Sequence, residues 1–471
     1  MYAKGERCFI TFPLGIAYLA AELVKKHSVD ILDCMIEDPK PKPISNGRCL
    51  VGLNWEKIKE RLKDISPDIV GISCAYSSQY HNAVKFAELV KKCDKKAITV
   101  LGGAHPSALP EDTLKNPYID FIVVGESEDS FVKLVDALKE GKDVKLIAGI
   151  GYKNNDKIII NKKMGYKKNI DELPFPARHL FLMEKYFRYG KEHAFYSKNH
   201  PSTTLITSRG CPGKCVYCSI HSVFGSVWRA RSPSNVEKEL EYLKERYHIK
   251  EVHFEDDNLT LDKDRMMLIC DKMIRNNLKL SWTTPNGVSI KHLDEELIKK
   301  MKEAGCYRMF IGVESGNQRV LNEVIKKNLL LTKVEEIIRL LKKYKLKITG
   351  FFVIGFPGES KECIEDTIKF VTKHDFDAIS LSIASPYPGT ELYNICEKNN
   401  LITDHDLSKC NPYHAMISTQ DFNCKEIAKL RNKACFKFQL SRLSKHPLRF
   451  FMEKQSYTTF LRYLSFFIKS S

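Results

Sequence analysis

The chain has no run of apolar residues long enough to cross a bilayer. A spanning helix needs ~18 to 20 of them in succession, and the longest comparable stretch, 348–356, is far shorter and broken by glycine. The opening MYAKGERCFI carries no secretory signal pattern. The fifteen cysteines in 471 residues are therefore expected as reduced thiols of a cytoplasmic protein, not as the disulfide frame of a small secreted one. The low hydrophobicity of a disordered chain is also missing, since 43% of residues are hydrophobic and 28% charged. Acidic residues are short by comparison, 58 against 75 basic, which leaves a net charge of +17. Such a surface attracts nucleic acid, anionic lipid or an anionic substrate, and charge alone does not choose among them.

The length suggests two to four folded units. Up to about residue 138, short apolar runs at 29–32, 69–74, 98–101 and 121–124 alternate with helical patterns at 14–26, 82–92 and 129–139. That alternation predicts βαβ units on a doubly wound parallel sheet, with ligands at the strand carboxyl ends, where Gly102, Gly103 and Gly125 fall. From 146 to about 200 the pattern changes to a hairpin and a proline-punctuated linker. Six further runs, 203–207, 251–254, 280–283, 309–313, 348–354 and 378–383, alternate with helices such as the one that places Val236, Leu240, Leu243 and Tyr247 on one face. Six βα repeats suggest a partial or full barrel. From about 424 the pattern is helical, with Pro447 as a break. Eleven basic residues face two acidic ones between Lys425 and Ser471, more than half of the chain's net charge.

The stretch SRGCPGKCVYCSI sets Cys211, Cys215 and Cys218 as C-x3-C-x2-C directly after the first barrel strand. Three thiolates on one loop can hold three irons of a four-iron cluster and leave the fourth open, whereas a cluster used only for electron transfer takes a fourth ligand. No fourth cysteine stands nearby, the next being Cys270. A structural zinc site completed by His221 is the competing reading.

The triplet, with Tyr217 before its last cysteine, resembles the signature of the radical S-adenosylmethionine (SAM) superfamily. The resemblance covers about 201–400 and includes the strand ends Glu255-Asp256-Asp257-Asn258, Gly312-Val313-Glu314-Ser315-Gly316 and Gly355-Phe356-Pro357-Gly358-Glu359. It implies a [4Fe–4S] cluster on the three cysteines, SAM chelating the open iron, and a 5′-deoxyadenosyl radical released by one electron from an external donor such as flavodoxin or ferredoxin. Tyr217, Glu314 and Gly355 are then expected at SAM. Read alone, Tyr217 serves equally well as packing, while a carboxylate between Gly312 and Gly316 at an apolar strand end calls for a partner. Asp256 and Asp257 are open between ligand and cap.

The N-terminal PLGIAYLAAEL, PDIVGIS, VLGGAHPSALPE and DFIVVGESE segments resemble the cobalamin-binding domain fused ahead of such barrels, over 10–140. The dinucleotide fingerprint G-x-G-x-x-G is absent, and so is D-x-H-x-x-G, since Gly103 and Ala108 flank His105 where Asp and Gly are required. Either a bound cobalt lacks a histidine ligand from the protein, or the domain no longer binds cobalamin. Ser73, Gly102, Gly103, Gly125 and Glu126 are the corrinoid candidates.

The implied architecture is α/β: a Rossmann-like cobalamin domain (1–145), a hairpin and linker (146–200), a radical SAM partial (β/α)6 TIM-type barrel (201–400) and a basic helical region (401–471). The implied activity is cobalamin-dependent modification, chiefly methylation, of an unactivated carbon in a small-molecule or lipid-like substrate. Alternatives are ring formation, as in the anaerobic cyclase of bacteriochlorophyll synthesis, tRNA methylthiolation, and a corrinoid- or redox-sensing module. Methylthiolation needs a second cysteine triplet that Cys8, Cys34, Cys49, Cys74 and Cys93 do not form, so nucleic acid is not the expected partner. The tail interleaves Phe438, Phe450, Phe451, Tyr457, Phe460, Tyr463, Phe466 and Phe467 with Arg442, Lys445, Arg449, Lys454 and Arg462. It is expected either to cap the barrel or to touch an anionic membrane surface.

Overall fold

The computed structural model describes residues 2–3, 10–44, 48–155, 157–190, 197–453 and 459–461. Of the tail aromatics and cations named above, Tyr457, Tyr463, Phe466, Phe467, Lys454 and Arg462 lie outside the described residues. The chain forms two compact units: Met1–Cys211, Ile220–Asp257 and Asp271–Asn286 in the first, and Pro212–Ser219, Asn258–Cys270 and Gly287–Ser471 in the second.

In the first unit, parallel strands β1 (Ile69–Ser73), β2 (Ile98–Gly102) and β3 (Phe121–Val123) are followed by an antiparallel hairpin, β4 (Ile150–Asn154) and β5 (Lys157–Ile160), in the spatial order β1-β2-β3-β4-β5. Helices α1 (Leu14–Leu23), α2 (Trp55–Ile65), α3 (Tyr80–Cys93) and α4 (Glu128–Glu140) surround the sheet. Alternation along each strand sends neighbours to opposite faces. Val100 and Val123 pack with Phe131 and Leu134 of α4 and Leu19 of α1. Leu101 and Ile122 pack on the other face with Ala83 and Ala87 of α3. Apolar residues on both faces are what a parallel sheet covered by helices requires.

The run at 29–32 is not a strand. Ile31 and Leu32 are half-buried against neighbouring apolar clusters, so the burial anticipated for them is met by packing, without a ladder partner. The hairpin segments continue the sheet through Phe121↔Tyr152 and Val123↔Ile150.

The barrel repeat begins in the first unit with β6 (Ser202–Leu205), β7 (Glu251–Phe254) and β8 (Ser281–Thr283), paired in parallel. It continues in the second with β9 (Cys306–Glu314), β10 (Lys347–Ile354) and β11 (Ala378–Ile383), also parallel. The six strands make the parallel sheet of a partial (β/α)6 barrel. Helix α5 (Pro233–Tyr247) follows β6 with Ser232 accepting from the Asn235 N–H and Pro233 at its first position, both helix-start signals. Its Val236, Leu240 and Leu243 are fully buried. Helix α6 (Cys424–Lys445) opens with a capping box of Asn423 and Glu426, and a short helix from Pro447 to Met452 follows the break.

Candidate functional site

After β6 the chain forms a two-residue antiparallel ribbon, Ser208↔Ala230 and Arg209↔Arg229, and the cysteine loop grows from it. Asp256, at the end of β7, accepts from the Thr207 N–H, the Thr207 hydroxyl at 2.7 Å and the Ser208 hydroxyl at 2.5 Å. This buried carboxylate therefore positions the chain entering the loop and caps no helix. The Cys211 N–H donates to the Gly225 carbonyl, and the His221 ring lies 2.8 Å from the Cys211 carbonyl oxygen.

Between Cys215 and Tyr217, Val216 is 2% exposed and packs with Val320, Leu321, Ile325 and Phe356. Its N–H donates to the Ile325 carbonyl, and its carbonyl accepts from the Leu392 N–H. The apolar side chain thus pins the middle of the loop while Cys215 and Cys218 stay half-exposed. None of the fourteen described cysteines is disulfide-bonded. Burial pushes the thiols of Cys34, Cys74 and Cys306 up to about 12 and those of Cys396 and Cys410 to about 11, which makes them inert. Three half-exposed thiols on a loop pinned from behind fit three corners of a cubane cluster.

In the second unit a charged floor faces this loop. Glu314, the last residue of β9, is nearly buried and pairs with Lys327 at 2.7 Å. Burial disfavours the Lys327 ammonium, but the combined attraction of Glu314, Cys215 and Cys218 outweighs it and raises the group above its ordinary value. Tyr217 also hydrogen-bonds Glu314; burial, and then the Glu314 charge, hold its hydroxyl protonated well above the ordinary range. Gly312 makes room for the pair, since a Cβ there would lie 2.6 Å from Glu314 Oε1 and 2.7 Å from Lys327 Nζ. The phenol ring of Tyr217 rests 6.0 Å from that of Phe356. The structure thus brings Tyr217 and Glu314 together and adds Lys327. No pattern in KKNLL marks that lysine, because its burial comes from residues distant in sequence.

Gly355 ends β10, and its N–H and that of Phe356 donate to Glu359 Oε2 at 2.7 and 3.1 Å. Glu359 is 0% exposed, with Oε1 lacking a hydrogen-bond partner. Burial, opposed by these two N–H bonds, raises its carboxyl to about 7. A Cβ on Gly355 would press on Ile427 of α6 at 2.8 Å, so this glycine also seats the C-terminal helix. Asp257, half-buried with one oxygen unpartnered, is raised to about 7 by burial and then by Asp256.

In the first unit Ser73 and Gly102 are register partners, as are Gly102 and Val123. Ser73, Gly102, Gly103 and Gly125 therefore lie at or just past the carboxyl ends of three adjacent strands, and Ser73 is exposed. Gly103 has φ of +109°, and a Cβ there would meet the Cys74 carbonyl oxygen at 2.7 Å. A ledge with so little side chain suits a wide, flat ligand such as a corrinoid. His105 is buried, stacked on Tyr80 with ring centroids 4.1 Å apart and 3.0 Å from the Ser77 hydroxyl. Burial lowers it to about 4, so it is a packing histidine. Glu126 is placed differently from the other candidates: both its oxygens are held by Arg229, at 2.9 and 2.5 Å.

Comparison with known proteins agrees with both halves. Residues 205–371 match the radical SAM superfamily model and residues 5–135 the B12 binding domain model. An uncharacterised methyltransferase from Pyrococcus horikoshii is 36% identical, across 91% of this chain and 88% of its own. The cytidylyl-2-hydroxyethylphosphonate methyltransferase of Streptomyces wedmorensis is 32% identical, across 84% of this chain and 79% of its own. Among solved structures, the cobalamin-dependent SAM radical enzyme OxsB, with aqua-cobalamin and SAM bound, superposes at a TM-score of 0.73 with 17% identity, over 96% of this chain and 70% of that one. The cofactors are accordingly a [4Fe–4S] cluster, SAM and cobalamin, and the chain belongs to the radical SAM superfamily, among the enzymes that carry an N-terminal B12-binding domain.

Proposed function

We propose that this chain methylates an unactivated carbon of a small-molecule substrate, with one-electron input from a flavodoxin- or ferredoxin-like donor. When bound, the cluster and SAM supply a carbon-centred radical and cobalamin supplies the methyl group. The carrying observation is the cysteine loop anchored at Val216 with Tyr217, Glu314 and Lys327 gathered beside it. Cys211, Cys215 and Cys218 hold the cluster, and the ion pair and phenol orient the polar groups of SAM. The glycine ledge at Ser73, Gly102, Gly103 and Gly125 receives the corrinoid. Both relatives described above, at 36% and 32% identity, are named methyltransferases, which favours methyl transfer over cyclisation.

Anaerobic reconstitution followed by dithionite reduction tests the reading. Wild type is expected to form 5′-deoxyadenosine from SAM, and Cys211→Ala, Cys215→Ala and Cys218→Ala are each expected to form none. Wild-type-like cleavage by any of the three overturns it.

The tail supports a second, smaller reading. Lys437 pairs with Glu365, Arg449 with Asp377 and His446 with Asp375, while Phe438 and Phe450 are buried. These contacts favour a cap on the barrel. Leu448 and Met452 remain 82% and 85% exposed next to basic Arg449, a combination that suits peripheral contact with an anionic membrane. Among the described residues no helix is long and apolar enough to cross one. Flotation with phosphatidylserine vesicles decides, and equal partitioning of wild type and Leu448→Ser/Phe451→Ser/Met452→Ser excludes the contact.

A further inference from the structure

Two arginines stand side by side on the ribbon that launches the cysteine loop, Arg209 opposite Arg229. They are 4% and 7% exposed. Like charges directly across a strand pair repel, and burial removes the water that would screen them. Both are neutralised by one short segment of the cobalamin domain. Glu126 takes Arg229 in a two-pronged contact and approaches Arg209 at 3.7 Å, and Glu128 takes Arg209 at 2.7 Å. Arg229 also donates to the carbonyls of Phe224 and Lys167. Glu126 follows Gly125, and the Gly125 N–H donates to the Ser107 hydroxyl, which donates to the Gly103 carbonyl. On the other side, Arg209 stands two residues before Cys211. The segment after Cys218 reaches the same place, since the Val223 carbonyl oxygen lies 3.3 Å from where a Gly125 Cβ would be.

Apolar packing would join these segments at lower desolvation cost. Buried two-pronged ion pairs add a fixed registry, because guanidinium and carboxylate planes meet in few orientations. We propose that Glu126 and Glu128 are positioning residues. They clamp the corrinoid ledge to the base of the cluster loop, so that cobalamin occupancy and SAM binding at the cluster are energetically coupled. Glu126 acts here through Arg229 and not by touching the corrinoid. The proposal rests on the cofactor set assigned above, and its test does not require turnover.

Coupling of this kind is reciprocal and is read as a ratio of affinities. The full-length chain, reconstituted with its cluster, is titrated with SAM in the presence and absence of hydroxocobalamin, following the electron paramagnetic resonance signal of the reduced cluster. The converse titration follows hydroxocobalamin by absorbance with and without SAM. We expect each cofactor to tighten the other about tenfold in wild type. In Glu126→Gln/Arg229→Gln, which removes both charges and leaves neither stranded, the ratio is expected to fall below about twofold with iron and corrinoid content unchanged. Arg229→Lys keeps the charge, loses the two-pronged geometry, and is expected to behave the same way; it decides the matter if the double variant loads poorly. Arg178→Lys, at the buried Arg178–Glu239 pair elsewhere in the first unit, is the control and is expected to keep the full ratio. No coupling in wild type, full coupling in a loaded clamp variant, or equal loss in the control would each overturn the proposal. Loss of SAM cleavage with the ratio intact would instead count against the function proposed above.

Discussion

The strand ends of the cobalamin domain and those of the barrel solve opposite problems. The first offers backbone: Ser73, Gly102, Gly103 and Gly125 line a ledge with almost no side chain. The second offers buried charge: Glu314 with Lys327, Asp256 with the Thr207 and Ser208 hydroxyls, and Glu359 on the N–H groups of Gly355 and Phe356. Under the proposed function, the first suits a wide ligand held by shape and close approach, and the second a smaller charged one held by a few fixed polar groups. The same strand–helix repeat serves both because the groups that differ sit at or just past the strand carboxyl ends.

The largest expected effect is on the charged side. Lys327→Met leaves Glu314 buried without its cation, which costs about 3–5 kcal/mol of stability and is expected to abolish detectable SAM binding. Denaturant melts and titration of the cluster's paramagnetic signal check both outcomes. Glu314→Gln/Lys327→Met, which strands no charge, is expected to recover stability but not SAM binding, separating fold from site.

On the ledge the contrast lies within one dipeptide. Gly103→Ala forces a side chain into a backbone conformation reserved for glycine and is expected to cost about 1–3 kcal/mol. Gly102→Ala meets only Ser127 Oγ, at 3.9 Å, and is expected to leave stability within about 0.5 kcal/mol while weakening corrinoid binding. An absorbance titration with hydroxocobalamin reads the second effect; undiminished affinity would mean that the corrinoid does not approach Gly102.

A smaller effect concerns pH. Because Glu359 is raised to about 7 in the folded state, the fold holds a proton that the unfolded chain has released. Stability therefore falls as pH rises from the ordinary carboxyl value through about 7, by ~3 kcal/mol at most. Glu359→Gln should flatten that part of the curve, raising Tm at pH 8 more than at pH 5. Part of the slope is expected to persist through Asp257, which is raised similarly.

Much of this was legible before any fold was known, for reasons that are local. Short apolar runs marked the strands at 69–73, 98–102 and 121–123 and the six barrel strands, since such a run bounded by turn residues has few other uses. The spacing of Cys211, Cys215 and Cys218 announced a cluster because three thiolates on one loop cannot serve many other ends. The run at 29–32 misled because apolar composition reports burial and not hydrogen-bond pairing. Tyr217 and Glu314 stood out from their motif, whereas Lys327, Arg209 and Arg229 look like three of seventy-five basic residues.

The sequence by itself determined the elements and the cluster loop, because these depend on periodicity, spacing and side-chain chemistry within a few residues, and its family resemblance implied the kind of ligand each half takes. Only the tertiary structure decided which charges are buried and with whom. It paired Lys327 with Glu314 thirteen residues away and Glu126 with Arg229 one hundred and three residues away. It also gave Glu126, a corrinoid candidate by its place in the sequence, a buried arginine partner. Desolvation fixes what a charge can do, and it is a property of the packed surroundings that no local stretch of chain contains.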